Sequence, residues 1–503
     1  MKLVRFPLAL LLLISLTLLN QPVALAQQNN PVQPARLNTD ENRSHLTARL
    51  EKLIPQLMEQ AFVPGLSIAL VRNGEVFWQH GFGVRNVRTH EAVSDDTIFE
   101  AASLSKPVFA YAVMKLVDSG SLDLDTPLVK YLPGAYLNGD ERANKITARN
   151  VLTHTTGFPN WRPQGKPLTI KFNPGERFSY SGEGFVYLQK VVEHLTGQPL
   201  DEFMQRTVFK PLGMTDSSYV WQARFENRVA TGHGPVGNPG AIRKPTEANA
   251  AASLHTTALD YARLVIALMN GVGLKRQTHK LMLTPQIKVD EGCQNCVDRP
   301  PTGRLSQTIS WGLGVGLQNT DEGESFWHWG DNNNEFQCYF VAYPKQKTGL
   351  VVFTNSGSGH AIIPEIIAQS IGGQQPAIAW LDYEQYNSPA RRLFRDILAR
   401  GEAAISEYRE FRKSHSGPEV LTENHMNRLG YGLLLMRKVQ EAIEIFKLNV
   451  EDHPNSSNVY DSLGEAYMVA GERELAIRNY KKSIELNPNN TNAVEMIRKL
   501  QQQ

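Results

Sequence analysis

Strand-forming sequence lies at two places far apart in the chain, and that separation limits the folds open to it. The runs Leu66-Ser67-Ile68-Ala69-Leu70-Val71-Arg72 and Glu75-Val76-Phe77-Trp78-Gln79-His80 flank Asn73-Gly74. An Asn-Gly pair between two such runs signals a type I′ hairpin. The next strand-like segments are Trp311 to Gln318, Glu335 to Tyr343 and Gly349 to Asn355, the last two joined by Pro344-Lys345-Gln346-Lys347. About two hundred residues of helix and loop intervene. The layout predicts an α+β domain: one antiparallel sheet assembled from both ends, with a mostly helical excursion inserted between them. Functional residues should line that seam. An amphipathic stretch from His45 to Gln60 opens the domain, and a helical segment near Ala361 to Gly372 should pack back beside it and close the domain near residue 375.

Composition supports a large core. Of 503 residues, 41% are hydrophobic and 20% charged, which is ordinary globular usage and room for two or three domains. The formal charge is +2, and no basic excess points to nucleic acid. The three cysteines, Cys293, Cys296 and Cys338, are too few for disulfides to be the main source of stability. The Cys293-Gln294-Asn295-Cys296 pair has no second pair to complete a zinc site, so it reads as a local disulfide or as two plain thiols.

Residues 1–26 combine a basic start, an apolar run from Phe6 to Leu19 and the small-residue pattern Ala24-Leu25-Ala26. The run is shorter than the roughly 20 residues that span a bilayer, so it reads as a cleavable secretory signal. An exported protein, periplasmic or extracellular and without a transmembrane anchor after cleavage, is the expectation. Residues 27–44 form a polar, Pro-bearing lead-in.

Beyond Pro389 a second pattern takes over. Gly430 and Gly464, Ala442 and Ala476, Phe446 and Tyr480, and Pro454 and Pro488 are each 34 residues apart. That period resembles tetratricopeptide repeats, in which small residues let two helices approach, an aromatic fills the gap and Pro ends the second helix. Residues 421–503 are therefore read as TPR-like repeats and 376–420 as a helical linker, with Pro389 to Ser414 supplying the third layer such an array needs. The tail is either a stabilising appendage or a groove for a protein partner.

The sharpest chemical signal is Ser103-Leu104-Ser105-Lys106 at the head of the apolar-periodic segment Pro107 to Val117. Positions three apart share a helix face, so the Lys106 amine can approach the Ser103 hydroxyl. A serine needs a base to become nucleophilic, and a lysine can serve where desolvation or neighbouring cations lower its proton affinity. Tyr180, on the loop Phe172 to Gly184 before the helical run Phe185 to Leu195, is the candidate third group, relaying a proton as a phenolate if nearby positive charge favours one. His328-Trp329-Gly330-Asp331 sits at the edge of the C-terminal strands. There Gly330 would let substrate backbone come close, and the amide after it, with that of Ser103, could hold an oxyanion. His328 could supply a hydrogen bond, or positive charge if protonated.

In this order, Ser103/Lys106, Tyr180 and His328/Gly330 resemble the three signature elements of the serine β-lactamase and penicillin-binding-protein superfamily, nearest the class C β-lactamase, D-aminopeptidase and esterase branch. Leu122-Asp123-Leu124-Asp125-Thr126-Pro127, Val151 to Gly157, Pro211-Leu212-Gly213-Met214 and Ala251-Ala252-Ser253 look like that branch too, and the resemblance covers about residues 45 to 372. It implies a β-lactamase/transpeptidase-like antiparallel sheet flanked by helices with a helical subdomain. It also implies an acyl-enzyme on Ser103, base and acid duty shared by Lys106 and Tyr180, and no metal or other cofactor. Two departures bear on substrate. Tyr180-Ser181-Gly182 lacks the asparagine of the family's Tyr-x-Asn, and His328-Trp329-Gly330 replaces Lys-Thr-Gly, so a substrate carboxylate loses its fixed lysine unless His328 is charged or an Arg substitutes. The expected substrate is a small or peptide-like ester or amide, with D-amino-acid peptides among the candidates. A β-lactamase or DD-peptidase, and a noncatalytic binding protein working through its tail, are the alternatives.

Overall fold

The structure, a computed structural model, describes residues 36–132, 136–137, 139–297 and 301–502. The signal and most of the lead-in expected from the sequence lie outside these residues. The opening helix α1 (Arg43–Ala61) is capped by the Asn42 side chain and ends at Phe62 in the left-handed region, φ 58°. Its buried stripe, Leu46, Leu50, Ile54, Leu57 and Met58, follows the helical period.

β1 (Gly65–Arg72) and β2 (Glu75–Gly83) form the expected hairpin, with φ of 56° at Asn73 and 77° at Gly74 as a type I′ turn requires. The other main strands are β5 (Ile287–Asp290), β6 (Leu305–Trp311), β7 (Gly316–Thr320), β8 (Gly323–Asn332), β9 (Phe336–Tyr343) and β10 (Thr348–Thr354). A short pair, β3 (Phe99–Glu100) and β4 (His255–Thr256), stands apart. The main sheet is antiparallel in the order β2-β1-β10-β9-β8-β7-β6-β5, so the two ends of the domain meet where β1 pairs β10, Ile68 opposite Val352.

Two strand expectations change. Trp311 to Gln318 is not one strand: it is the end of β6, a turn closed by Gly312 N–H on Val315 O at 2.9 Å, and the start of β7. Gly314 permits that turn, because its φ is 86° and a Cβ there would overlap Ala110. The His328 strand is not at the edge either. β8 lies inside the sheet, with β7, β6 and β5 beyond it.

Alternation along the strands divides the core. Phe340, Val351 and Phe353 face α2 (Ser105–Asp118) and the helical excursion, while Tyr339, Val341 and Val352 face α1 and the helix Ile363–Gln369. That last helix packs beside α1, and Asn38 N–H closes on Ile371 O at 2.8 Å. The helix Pro376–Leu381, in the stretch read as linker, belongs to the same core, with Trp380 Nε1 donating to Asp290 O at 2.8 Å.

From Pro389 onward the chain is helical. Pro389–Arg400 and Glu402–Ser414 form one pair, followed by Glu423–Leu435 with Val439–Asp452, Ser457–Val469 with Arg473–Leu486, and the closing helix Thr491–Gln502. The 34-residue period has a packing cause. A Cβ on Gly430 would stand 2.5 Å from the Phe446 ring, and one on Gly464 3.0 Å from Tyr480. The tail is fastened to the first domain by Phe62 edge-on to Phe394, centroids 5.4 Å apart, and by Arg395 donating to Gln60 O at 3.1 Å. Among the described residues no helix is long and apolar enough to cross a membrane.

Candidate active site

Ser103 sits in a 3₁₀ turn, Ala102–Leu104, immediately before α2 rather than in its first turn. Ala102 holds φ 47°, a left-handed conformation that a non-glycine residue keeps only when its surroundings impose it. They do. Ser105 Oγ donates to Ala102 O at 2.6 Å and accepts from Leu254 N–H at 3.0 Å. Ala101 N–H reaches Leu254 O at 2.8 Å and the Cys338 thiol donates to Ala101 O at 3.0 Å. Tyr261 and Tyr219 hydroxyls donate to the carbonyls of Leu104 and Ser105. The flanking residues are buried while Ser103 itself stays partly exposed, so the corner presents one hydroxyl to solvent.

Lys106 is wholly buried, its Nζ 3.0 Å from Ser103 Oγ and 2.9 Å from Ala251 O. Burial among rings, with Nζ 4.8 Å from the centroid of Tyr180 and 5.8 Å from that of Phe185, pushes its pKa down to about 7. A fair fraction is therefore neutral at neutral pH and able to accept the Ser103 proton.

Tyr180 is 3% exposed, fixed through its amide on Gln294 O at 2.9 Å. Among the described residues its hydroxyl makes no hydrogen bond of good geometry. Burial drives its pKa well above the ordinary phenol value, and the nearby Ser103 hydroxyl offsets only part of that. The phenol is thus neutral, and the phenolate relay suggested by the sequence gives way to a neutral hydroxyl beside a neutral amine. His154 stacks on Tyr180 with centroids 4.3 Å apart and accepts from Ser181 N–H through Nδ1 at 3.0 Å. Burial and the adjacent Lys106 and His328 keep this imidazole uncharged.

The remaining sequence candidates have different fates. His328 is buried, Nδ1 donating to Trp329 O at 2.7 Å, and burial followed by the nearby Lys106 lowers its pKa to about 3, so it brings no positive charge. Gly330 is not an opening for substrate in the direction of a side chain. A Cβ there would lie 2.5 Å from Cys338 Sγ and 2.7 Å from Ala101 O, so this glycine lets β8 press against the Ser103 turn. Asp331 caps the β8–β9 turn, accepting from Asn334 N–H at 3.0 Å and from Gln337 Nε2 at 2.8 Å, and both its oxygens are engaged away from substrate. Gly182 opens the helix Gly182–Thr196, its amide donating to Asn160 Oδ1 at 2.9 Å. The Trp161 ring fills the place where its side chain would be, 2.7 Å from the position of a Cβ.

Two described arginines that could have replaced the missing lysine are already committed. Arg243 is held between Glu100 and Glu335, at 2.9 and 3.0 Å, and Arg162 is bidentate on Glu183. Asn332 completes the Glu100 site with Nδ2 on Oε2 at 2.8 Å.

The family model described as Beta-lactamase matches residues 50–365. The chain belongs to the beta-lactamase family. Within that family it is similar to Protein flp of Staphylococcus aureus (strain N315), at 25% identity over 63% of this chain and 64% of that protein, so it spans under two thirds of that relative's length. It is similar also to Penicillin-binding protein 4 of Amycolatopsis lactamdurans, at 26% identity over 65% of this chain and 89% of that one. Among solved structures, a class C beta-lactamase matches with a TM-score of 0.56 at 21% identity, covering 67% of this chain and 100% of that one. The octameric penicillin-binding protein homologue from Pyrococcus abyssi matches with a TM-score of 0.54 at 24% identity, over 70% and 82%. These structural likenesses establish the beta-lactamase fold.

Three residues that shape the site were not singled out from the sequence. His154 lies in Val151 to Gly157, a segment noted for resemblance alone; its left-handed φ of 55° turns the chain beneath Tyr180. Trp161 stands in a polar loop, and its 45% exposure beside Gly182 gave no periodic signal. The Cys293–Cys296 disulfide frames Gln294, whose carbonyl holds Tyr180.

Proposed function

We propose that the protein is an exported serine hydrolase that cleaves an ester or amide through an acyl-enzyme on Ser103. The observation that carries this reading is the Lys106 amine, 3.0 Å from the Ser103 hydroxyl with its pKa lowered to about 7. Neutral Lys106 takes the Ser103 proton as Oγ bonds to the substrate carbonyl carbon. The tetrahedral adduct collapses with cleavage of the carbonyl–oxygen or carbonyl–nitrogen bond. The leaving group receives its proton from the Lys106 ammonium by way of the Tyr180 hydroxyl, which gives one proton and regains another. Water then attacks the acyl carbon, returns its proton along the same pair, and frees a carboxylic acid and Ser103. The amides of Ser103 and of the residue after Gly330 are the proposed oxyanion donors.

The charge arrangement favours uncharged substrates. With His328 neutral and Arg162 and Arg243 committed to carboxylates, a substrate carboxylate meets no spare cation among these groups. That supports a small neutral ester or amide over a penicillin or a peptide with a free C-terminus beside the scissile bond.

Labelling with a fluorescent phosphonate tests the proposal. Wild-type protein should label and hydrolyse a p-nitrophenyl ester, and Ser103→Ala should do neither; labelling that survives in Ser103→Ala overturns the reading. A fluorescent penicillin should label far more slowly than the phosphonate.

A further inference from the structure

Behind β9, on the sheet face opposite α2, a cavity of about 340 Å³ lies between the first domain and the tail. That volume is at the lower end of the range of about 300–1,000 Å³ for small-molecule pockets. Ser103, Lys106 and Tyr180 take no part in its walls. Both sides of the domain junction do, with Gln337, Ser358 and His360 on one and Arg391, Phe394 and Arg428 on the other.

Its lining is chemically uneven. Val236, Phe394, Leu429 and Leu435 give an apolar side, and Leu435, at 56% exposure, marks its rim. Among the charged groups, Arg391 is spent, with Nε on Glu384 Oε2 at 3.2 Å and Nη2 on Ser358 Oγ at 2.9 Å. Arg428 lines the same cavity, is exposed, and has neither an ion pair nor a hydrogen bond among the described residues. The wall therefore carries one unbalanced positive charge, matched to a monoanion.

His360 adds an independent requirement. The residue is 5% exposed, and its Nε2 donates to Cys338 O at 3.1 Å, which leaves Nδ1 as a lone-pair acceptor. That Nδ1 is buried without a partner. A buried acceptor left unpaired costs free energy, which a ligand N–H would recover once the His360 ring turns to bring Nδ1, closed off in this structure, to the cavity wall. An apolar packing fault would need neither the free cation nor the free acceptor.

We propose that this cavity binds a small N-acyl amino acid: an apolar side chain against Phe394 and Leu429, a carboxylate on Arg428, and an amide N–H toward His360. The proposal is independent of the hydrolase reading. The cavity nevertheless adjoins the catalytic strand pair. Gln337 holds Asp331, and His360 holds the carbonyl of Cys338, whose thiol secures the Ser103 turn.

Titration calorimetry on full-length Ser103→Ala protein, which cannot turn a ligand over, provides the test with N-acetyl-leucine as probe and N-acetyl-leucinamide as its uncharged counterpart. The acid should bind at one saturable site. The amide, and the acid with an added Arg428→Gln change, should each bind about tenfold or more weakly, the effect of losing one charge-assisted hydrogen bond. Arg428→Gln should keep its melting temperature without ligand, because the side chain is exposed and unpaired. Wild-type protein pre-labelled with phosphonate should bind the acid as before. No saturable binding, equal binding of acid and amide, equal binding by the Arg428→Gln variant, or loss of binding after phosphonate labelling would each overturn the proposal, the last by moving the ligand to Ser103.

Discussion

Lys106 Nζ rests 3.0 Å from Ser103 Oγ in a fully buried setting where desolvation sets its proton affinity. In the proposed mechanism the neutral amine is the base, so kcat/KM should rise with pH and reach half its plateau at about 7. A profile flat from pH 5 to 9 would remove Lys106 from that role. The same burial affects stability. The folded-state pKa is about 7 against an ordinary 10.5, so between those values the unfolded chain holds a proton that the folded one lacks, and stability rises with pH across that window. Below it the full penalty applies. Lys106→Met should therefore abolish turnover yet raise stability by about 1–4 kcal/mol at pH 6, with the advantage shrinking toward pH 10, as read from denaturant unfolding.

The Tyr180 hydroxyl is buried without a hydrogen bond of good geometry, while the ring packs against His154 and, with centroids 4.7 Å apart, Trp329. Tyr180→Phe keeps the ring contacts and removes the proposed proton relay. Turnover should fall by about 10²–10⁴-fold with the melting temperature unchanged or slightly higher. Steady-state kinetics beside a melting curve separates this outcome from misfolding, which would lower both.

Gln294, between the two cysteines of the disulfide, holds the Tyr180 amide and anchors its own side chain on Trp380 O and Leu381 O, at 3.1 and 2.9 Å. Mild reduction, or Cys293→Ser with Cys296→Ser, should loosen that brace. Ester turnover is expected to drop several-fold while global unfolding shifts little, since so short a loop constrains the unfolded chain weakly. Identical kcat in oxidised and reduced protein would show that the brace does not position Tyr180.

Gly330 has no room for a methyl group on the side of Ala101 O and Cys338 Sγ. Gly330→Ala should push β8 away from the serine turn, costing about 1–3 kcal/mol and most of the activity. Adding Cys338→Ala relieves the sulfur contact but not the carbonyl, so the double variant should recover part of the stability and little of the rate. Full recovery of rate would assign the glycine to the sulfur contact alone.

The parts legible in the sequence are those fixed by local chemistry. Asn73-Gly74 dictates its own turn, Gly430 and Phe446 recur as a matched pair 34 residues on, and Ser103 with Lys106 shares one turn of chain. What stayed hidden depends on long-range convergence. β5 is too short and polar to read as a strand, and it forms because β6 folds back upon it. The neutrality of His328 follows from burial and from Lys106, which stands more than two hundred residues earlier in the chain. That the Asp331 carboxylate is taken up by Gln337 and Asn334 shows only once β8 and β9 pair.

Trp161 and Gly182 show how a missing motif residue can reflect an occupied volume. The indole covers Gly182 and stands 6.0 Å from Lys106 Nζ, with 45% of its surface exposed at the mouth of the site. Gly182→Asn alone would drive a side chain into that ring, so it should destabilise rather than restore an amide contact. In a Trp161→Gly background the same asparagine has space and should be tolerated. An exposed aromatic over the entrance is placed to stack on an aromatic substrate, a contact worth about 0.5–1.5 kcal/mol beyond simple burial. Trp161→Ala should therefore raise KM for aromatic esters by about three- to tenfold, leave kcat nearly unchanged, and leave short aliphatic esters unaffected. Equal losses on aromatic and aliphatic esters would mean that the indole supports the loop and does not touch substrate.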